Sequence, residues 1–291
     1  AFIGVDVLTY ANMDNHFHLL LHVPEPKALS DNELIERLNH LYSPIVVQNL
    51  AASLEGLRDS GTADQAEAFV ARYTARMYDL SEFMKTLKQC VTQSYNARHK
   101  RKGTLWEERY KSLLVEGRGN ALFTVSSYIE LNPVRAGLVD DPRHFRFCGY
   151  GEACGGSESA RRGLMHIMDV AGECTDWREA AARYRQLLYV RGEAIGVGED
   201  GRAAQPGFDA VEVQNVLDAG GKLPKAVLLR CRVRYFSDGA VMGSRAYVED
   251  VFQRHREQFG QKRKTGARPM RGGDWGGLMT VRRLRLTPIR A

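Results

Sequence analysis

A short strand signal carrying paired histidines sets the tightest limit on how this chain folds. His16-Phe17-His18-Leu19-Leu20-Leu21-His22-Val23 is bounded by the turn-forming run Asn12-Met13-Asp14-Asn15 and by Pro24 and Pro26. Before the turn, Phe2 to Tyr10 is rich in β-branched and aromatic residues, so the two runs predict a β-hairpin. Successive strand side chains point to opposite faces, which puts His16 and His18 on one face and Phe17 on the other, toward a core. Two imidazoles about 7 Å apart on one face can grip a divalent metal. The competing reading is a pair of surface histidines on an amphipathic strand. His22 shares their face by parity, either as a border of the site or as an edge histidine.

Downstream, Ser30-Asp31-Asn32-Glu33 reads as a helix start, leading into Leu34, Ile35 and Leu38. Ser53 to Met77 is charged and Ala-rich, and we read it as part of a peripheral helical insertion over residues 44–78. Leu80, Phe83, Met84, Leu87, Val91 and Tyr95 then recur at spacings of three and four, which marks an amphipathic helix. Its polar face carries Lys85, Lys88, Arg98 and His99, and it runs into a basic loop with Lys100, Arg101 and Lys102. Trp106, Arg109, Tyr110 and Lys111 follow, aromatic and basic residues interleaved. That mixture suits a nucleic-acid groove, with cations on phosphates and rings on bases. The alternative is a packed Trp and Tyr with their polar ends at the rim.

A second constellation spans Asn120 to Val139. Asn120 can cap a helix carrying Leu122, Phe123, Val125 and Ile129, and Pro133 bends or ends it. Tyr128 and Asn132 lie four apart and therefore share a helical face. Tyr128 is a candidate nucleophile, and Asn132 a candidate oxygen ligand to a metal held by His16 and His18. Alone, they would read as a half-buried core tyrosine and a helix-ending residue before proline.

Composition narrows the function classes. The five cysteines are widely spaced with no Cys-x-x-Cys pair, so neither a zinc ribbon nor a disulfide framework is indicated, which fits a reducing cytosol. No apolar run approaches the ~18–20 residues needed to cross a bilayer, and the first residues do not read as a signal peptide. We therefore expect a cytoplasmic protein without a membrane partner. A net charge of +6 over 291 residues makes a polyanionic partner plausible. From Gln261 to Ala291 there are nine Lys or Arg against the single acid Asp274, a basic segment or tail.

Gly149 to Gly156 and Arg191 to Pro206 are Gly-rich, and residues 151–206 read as a linker with one helix over Trp177 to Leu188. Residues 207–291 form a basic, mainly helical C-terminal region in this reading. Within it, Lys225 to Phe236, a turn at Ser237-Asp238-Gly239 and Gly243 to Arg256 suggest a helix-turn-helix reader of duplex DNA, with Ser244 as a cap before Arg245.

Three segments resemble the single-tyrosine HUH transposases, particularly the REP-associated tyrosine transposases of bacteria. They are Met13-Asp14-Asn15-His16-Phe17-His18-Leu19-Leu20, Gly103-Thr104-Leu105-Trp106-Glu107-Glu108-Arg109-Tyr110, and Tyr128-Ile129-Glu130-Leu131-Asn132-Pro133-Val134-Arg135-Ala136-Gly137-Leu138-Val139. The resemblance covers about Val5 to Tyr150 and makes residues 1–150 a catalytic domain. It implies an α+β fold, a ferredoxin-like antiparallel sheet backed by helices, with the histidines on a central strand. The family's first strand and helix precede the Phe2–Tyr10 strand, so it also implies either an N-terminally truncated domain or a degenerate copy. Asp14 stands where the family usually carries proline.

By the same resemblance His16, His18 and Asn132 bind Mg2+ or Mn2+, and Tyr128 is the nucleophile. Arg109, Lys111, Lys100, Arg101, Lys102, Trp106 and Arg245 are our candidate DNA contacts. The expected partner is DNA with single-stranded or hairpin ends, with duplex DNA for the C-terminal region, and the chain acts as monomer or homodimer. The expected function is a strand transferase that cuts and rejoins DNA through a 5′-phosphotyrosine. The alternative is a catalytically inactive, domesticated, sequence-specific DNA-binding protein. A relaxase-type nuclease is disfavoured because relaxases generally carry their tyrosine before the histidine pair.

Overall fold

The computed structural model describes residues 2–169, 176–190, 239–270 and 275–282. It is an α+β protein. The chain divides into two compact units that interleave in sequence, residues 1–6 with 21–110 and residues 7–20 with 111–291. The expected boundary at residue 150 is thus replaced by two crossings within the hairpin and one near Tyr110.

The hairpin itself is present. Strand β1 spans Asp6–Asn12 and strand β2 spans Phe17–His22, and the Met13 N–H donates to the His16 carbonyl at 2.8 Å to close the turn. The two form a two-stranded sheet. On its other side β1 makes one bridge, between Ala11 and Cys148. Among the described residues, β2 is therefore an edge strand rather than the central strand we expected. The burial also differs: Leu20, on the histidines' own face, is the buried residue of β2, whereas Phe17 is only half-buried.

The first unit is helical. Helix α1 (Asp31–Leu38) starts at the expected place, with Ser30 and Glu33 forming a reciprocal capping box. Helices α2 (Pro44–Asp59) and α3 (Ala63–Thr74) occupy the stretch read as an insertion. The peripheral reading of that stretch fails, because Val47, Leu54, Ala66, Tyr73 and Met77 form one buried cluster with Phe2, Ile3, Val5, Leu34 and Leu38. A few apolar residues at helical spacing, Val47 with Leu54 and Ala66 with Tyr73, supply this face. Helix α4 (Leu80–His99) is capped by Asp79, whose carboxylate accepts from the Glu82 N–H. Only Met84 is buried along it, and Val91 and Tyr95 stand exposed.

The second unit holds the candidate site. After a short strand β3 (Leu114–Val115), helix α5 (Gly119–Glu130) runs through the core with Ala121, Leu122, Val125 and Ile129 buried. Asn120 does not cap it. The cap position falls two residues earlier, at Arg118, and the Asn120 side chain donates instead to the carbonyls of Trp275 and Gly276. A one-turn helix α6 (Asn132–Arg135) follows directly. Helices α7 (Gly149–Cys154), α8 (Glu158–Asp169) and α9 (Trp177–Val190) then pack Tyr150, Ala153, Leu164, Ile167, Ala180, Tyr184 and Leu188 into the same core as Leu8 and Leu20.

The linker reading of the glycine-rich start of this stretch is therefore overturned. A Cβ on Gly149 would lie 2.1 Å from the Thr9 hydroxyl oxygen, and one on Gly151 would lie 2.1 Å from the Phe145 carbonyl oxygen. These glycines permit close approach of backbone to neighbours. Residues 191–206, read as linker, lie outside the described residues, as does the first of the two predicted DNA-reading helices.

The described C-terminal residues are not mainly helical. Of the predicted turn only Gly239 is among the described residues, where it opens strand β4 (Gly239–Gly243); helix α10 (Arg245–Arg254) follows, capped by Ser244 as expected. Strands β5 (Arg268–Pro269) and β6 (Met279–Arg282) complete a four-stranded sheet in the order β3-β4-β6-β5. Only the β3–β4 pair is parallel. Part of the basic segment is thus folded strand: Val281 packs with Val241, Val248, Val251 and Phe252 between sheet and helix.

Candidate functional site

Tyr128 lies on the last turn of α5, and its placement follows from how that helix is anchored. Two residues on, Glu130 is fully buried. Its carboxylate accepts from the Thr9 hydroxyl on β1 and from the Tyr150 N–H at the start of α7, at 3.0 and 3.1 Å to its two oxygens. Burial pushes the Glu130 carboxyl up to about 7, against the opposing pull of these donors. One side chain thus joins α5, the strand that pairs with the histidine strand, and α7.

This anchoring brings the sequence-distant residues together. The rings of His16 and His18 are 5.1 Å apart at 88°, and the Tyr128 ring lies 5.9 Å from that of His18 at 81°. His16 is exposed, with its Nδ1 2.7 Å from the Asn15 side-chain oxygen, while His18 is half-buried. Burial lowers the His18 imidazole to about 4, helped by His16 and by Arg135. At neutral pH it is uncharged and keeps a lone pair to offer.

Asn132 shows how a local backbone problem presents a side chain. Pro133 has no N–H for the Ile129 carbonyl. The Asn132 amide nitrogen donates to that carbonyl at 3.3 Å and to the Tyr128 carbonyl at 3.1 Å. With its nitrogen committed to the helix, the carboxamide turns Oδ1 away from it. That oxygen accepts from the guanidinium of Arg135. The same guanidinium donates to the Tyr128 carbonyl at 3.0 Å and lies 3.9 Å from the centre of the Tyr128 ring.

Arg135 is the member of this cluster that the sequence reading missed. Residues 128, 132 and 135 lie four and three apart, so helical spacing alone places the arginine on the same face. A search for ligands and nucleophiles passed over it.

The residues suit a divalent metal in part. Two imidazoles bound to one ion through bonds of ~2.1 Å at roughly right angles have ring centres about 5 Å apart, which matches the spacing of His16 and His18. Asn132 Oδ1 would be the third protein ligand. No group of three or more His, Cys, Asp or Glu able to hold a metal occurs among the described residues. A nitrogen-rich set with one amide oxygen suits manganese at least as well as magnesium.

The predicted DNA contacts divide between the two units. Trp106 is packed onto α4, its indole N–H donating to the Thr92 hydroxyl at 2.9 Å and to the Lys88 carbonyl at 3.2 Å. The Lys88 ammonium sits 5.0 Å over its ring. Lys100, Arg101 and Lys102 are exposed at the end of α4, where the guanidinium of Arg101 faces the ring of Tyr95. Arg109 is also exposed in the first unit. Lys111 and Arg245 are exposed in the second unit, outside the histidine–tyrosine cluster. Arg245 and Arg118 line a cavity of about 570 Å³ there. His22 pairs with Asp6 at 3.4 Å.

Compared with known proteins, the chain matches no family model, no curated protein and no solved structure. Among the described residues no helix is long and apolar enough to cross a membrane.

Proposed function

We propose that this chain is a single-tyrosine DNA strand transferase of the HUH transposase type, with a ferredoxin-like catalytic domain, acting on single-stranded or hairpin DNA. The observation that supports it is the approach of the Tyr128 ring to His18, itself beside His16, with Asn132 hydrogen-bonded to the Tyr128 backbone one helical turn on. Cutting DNA so that it can be rejoined requires a nucleophile that keeps the broken end covalently bound. In the proposed step, Tyr128 Oη bonds to the phosphorus of a phosphodiester and its proton passes to water. The bond from phosphorus to the 3′ oxygen breaks, and that oxygen takes up a proton. The 5′ side stays on Tyr128 as phosphotyrosine. Attack by a different 3′ hydroxyl reverses the step and joins a new strand.

His16, His18 and Asn132 would hold Mg2+ or Mn2+, which when bound neutralises charge on the reacting phosphate. The neutral state of His18 supports that assignment. Lys100, Arg101, Lys102, Arg109 and Lys111 would contact DNA phosphates, and Arg245 a duplex segment. A cytoplasmic bacterial setting, as monomer or homodimer, belongs to the same reading.

A catalytically idle DNA-binding descendant is the second reading. The contact that favours it is the bond from Arg135 to Asn132 Oδ1, which keeps the third ligand oxygen engaged. Incubation with Mn2+ and a hairpin oligonucleotide labelled on its 3′ side separates the two. A covalent adduct that disappears in Tyr128→Phe supports the transferase. DNA binding without any adduct supports the idle protein.

A further inference from the structure

Arg135 has no part in the step written above, yet its guanidinium is the fixed cation of the cluster. It stacks on the Tyr128 ring, donates to the Tyr128 carbonyl and holds Asn132 Oδ1. Two physical arguments bear on what it does. A guanidinium and a divalent ion on one amide oxygen repel each other strongly at such short range, so the present partner of Asn132 and a metal on Asn132 are competing states. The guanidinium fork also matches the spacing of two phosphate oxygens, a stronger partner for it than a neutral amide. The fork lies over the face of the Tyr128 ring, 3.9 Å from its centre, with the Tyr128 carbonyl and Asn132 Oδ1 as its partners. Arg135 ends a one-turn helix, followed by Ala136 and by Gly137 at a φ of 70°.

We propose that Arg135 is the phosphate-binding residue of this site and that it exchanges partners. In the free protein it holds Asn132 Oδ1. With DNA bound it turns its fork to two oxygens of the scissile phosphodiester and releases Asn132 to the metal. Substrate and metal then assemble together, and the tyrosine is not exposed to a bound metal until a phosphate is present. This inference rests on the strand-transfer reading, which assigns Tyr128 and the metal ligands.

The test uses the full chain and two separate readouts. Mn2+ affinity is measured without DNA from the free-ion paramagnetic resonance signal, and adduct formation with the labelled hairpin. Arg135→Ala is expected to bind Mn2+ severalfold more tightly than wild type, because a competing cation is gone. The gain should vanish in Arg135→Ala combined with Asn132→Ala. Adduct formation by Arg135→Ala should fall about a hundredfold or more, the scale of losing a fixed charge donor at a reacting phosphate. Arg135→Lys keeps the charge and the stem over the ring but not the fork, and should fall between the two. If Arg135→Ala does not fold, Arg135→Gln, which keeps a donor for Asn132 without the charge, takes its place.

Unchanged or weaker Mn2+ affinity in the alanine variant overturns the partner exchange, as does an alanine variant that binds no Mn2+. Adduct formation within twofold of wild type overturns the phosphate role. A wild type that forms no adduct while Arg135→Ala still tightens Mn2+ through Asn132 overturns strand transfer and the phosphate role, and leaves the exchange at Asn132 standing.

Discussion

The buried carboxylate of Glu130 accepts a hydrogen bond from the hydroxyl of Thr9, tying the helix that carries Tyr128 to the strand that pairs with the histidine strand. The distance between the tyrosine and His18 therefore depends on a residue that touches neither. It also makes the fold sensitive to the charge on that carboxylate.

Stability should fall as pH rises toward neutral. Burial raises the folded Glu130 carboxyl from an ordinary value of 4.5 to about 7, so the folded state holds the proton more tightly than the unfolded one. The associated stability is fully present below about pH 4.5 and is lost as pH rises through about 7, up to roughly 3 kcal/mol. Urea midpoints measured from pH 4.5 to 8 should show this slope, and Glu130→Gln should flatten it. A wild-type profile as flat as that of the variant would disprove the assignment.

Gly149 should not tolerate a side chain. A Cβ there meets the Thr9 hydroxyl oxygen at 2.1 Å and a Glu130 oxygen at 3.1 Å, so Gly149→Ala must displace the same hydrogen-bonded group. The expected cost is about 1–3 kcal/mol by chemical denaturation. Gly117, with nothing near its Cβ position, is the control, and Gly117→Ala should shift stability by less than about 0.5 kcal/mol.

His18 and Tyr128 should separate metal binding from bond making. His18→Ala is expected to weaken Mn2+ binding by about tenfold or more, and with it adduct formation. Tyr128→Phe keeps the ring under Arg135 and should retain Mn2+ affinity while losing the adduct entirely. Isothermal titration and denaturing gels give the two readouts; equal loss of Mn2+ binding in both variants would contradict this division.

Binding of single-stranded DNA should respond to charge at the end of α4 more than to Trp106. Lys100, Arg101 and Lys102 are exposed, whereas Trp106 is hydrogen-bonded onto the helix. Changing all three cations to alanine should reduce the salt slope of log K by about 2, at ~0.7 per phosphate contact. Trp106→Phe should leave DNA affinity within about twofold but lower thermal stability, since the indole N–H loses two acceptors. Fluorescence anisotropy at several salt concentrations checks both.

Periodicity and turn chemistry exposed the elements whose signals are local. The hairpin around Asn12 to Asn15, the capping box at Ser30 and Glu33, and the cap at Ser244 all stand where their residue types place them. Glycine misled because its sequence signature is the same for looseness and for close contact. At Gly149 and Gly151 only the neighbours, Thr9 and Phe145, distinguish the two. Trp106 was ambiguous for a similar reason, since a ring that stacks on a base and one that packs on a helix have the same composition around them.

By itself the sequence determined the candidate chemistry: two histidines two apart on a strand, and a tyrosine and an asparagine four apart on a helix, because those spacings fix a common face within one element. Only the tertiary structure decided that the tyrosine meets His18, that His18 is desolvated and uncharged, and that Arg135 donates to Asn132 Oδ1. The physical reason is range. Backbone geometry orients neighbours along one element, whereas burial and charge at a site come from segments that meet only once Glu130, Thr9 and Tyr150 have closed the core.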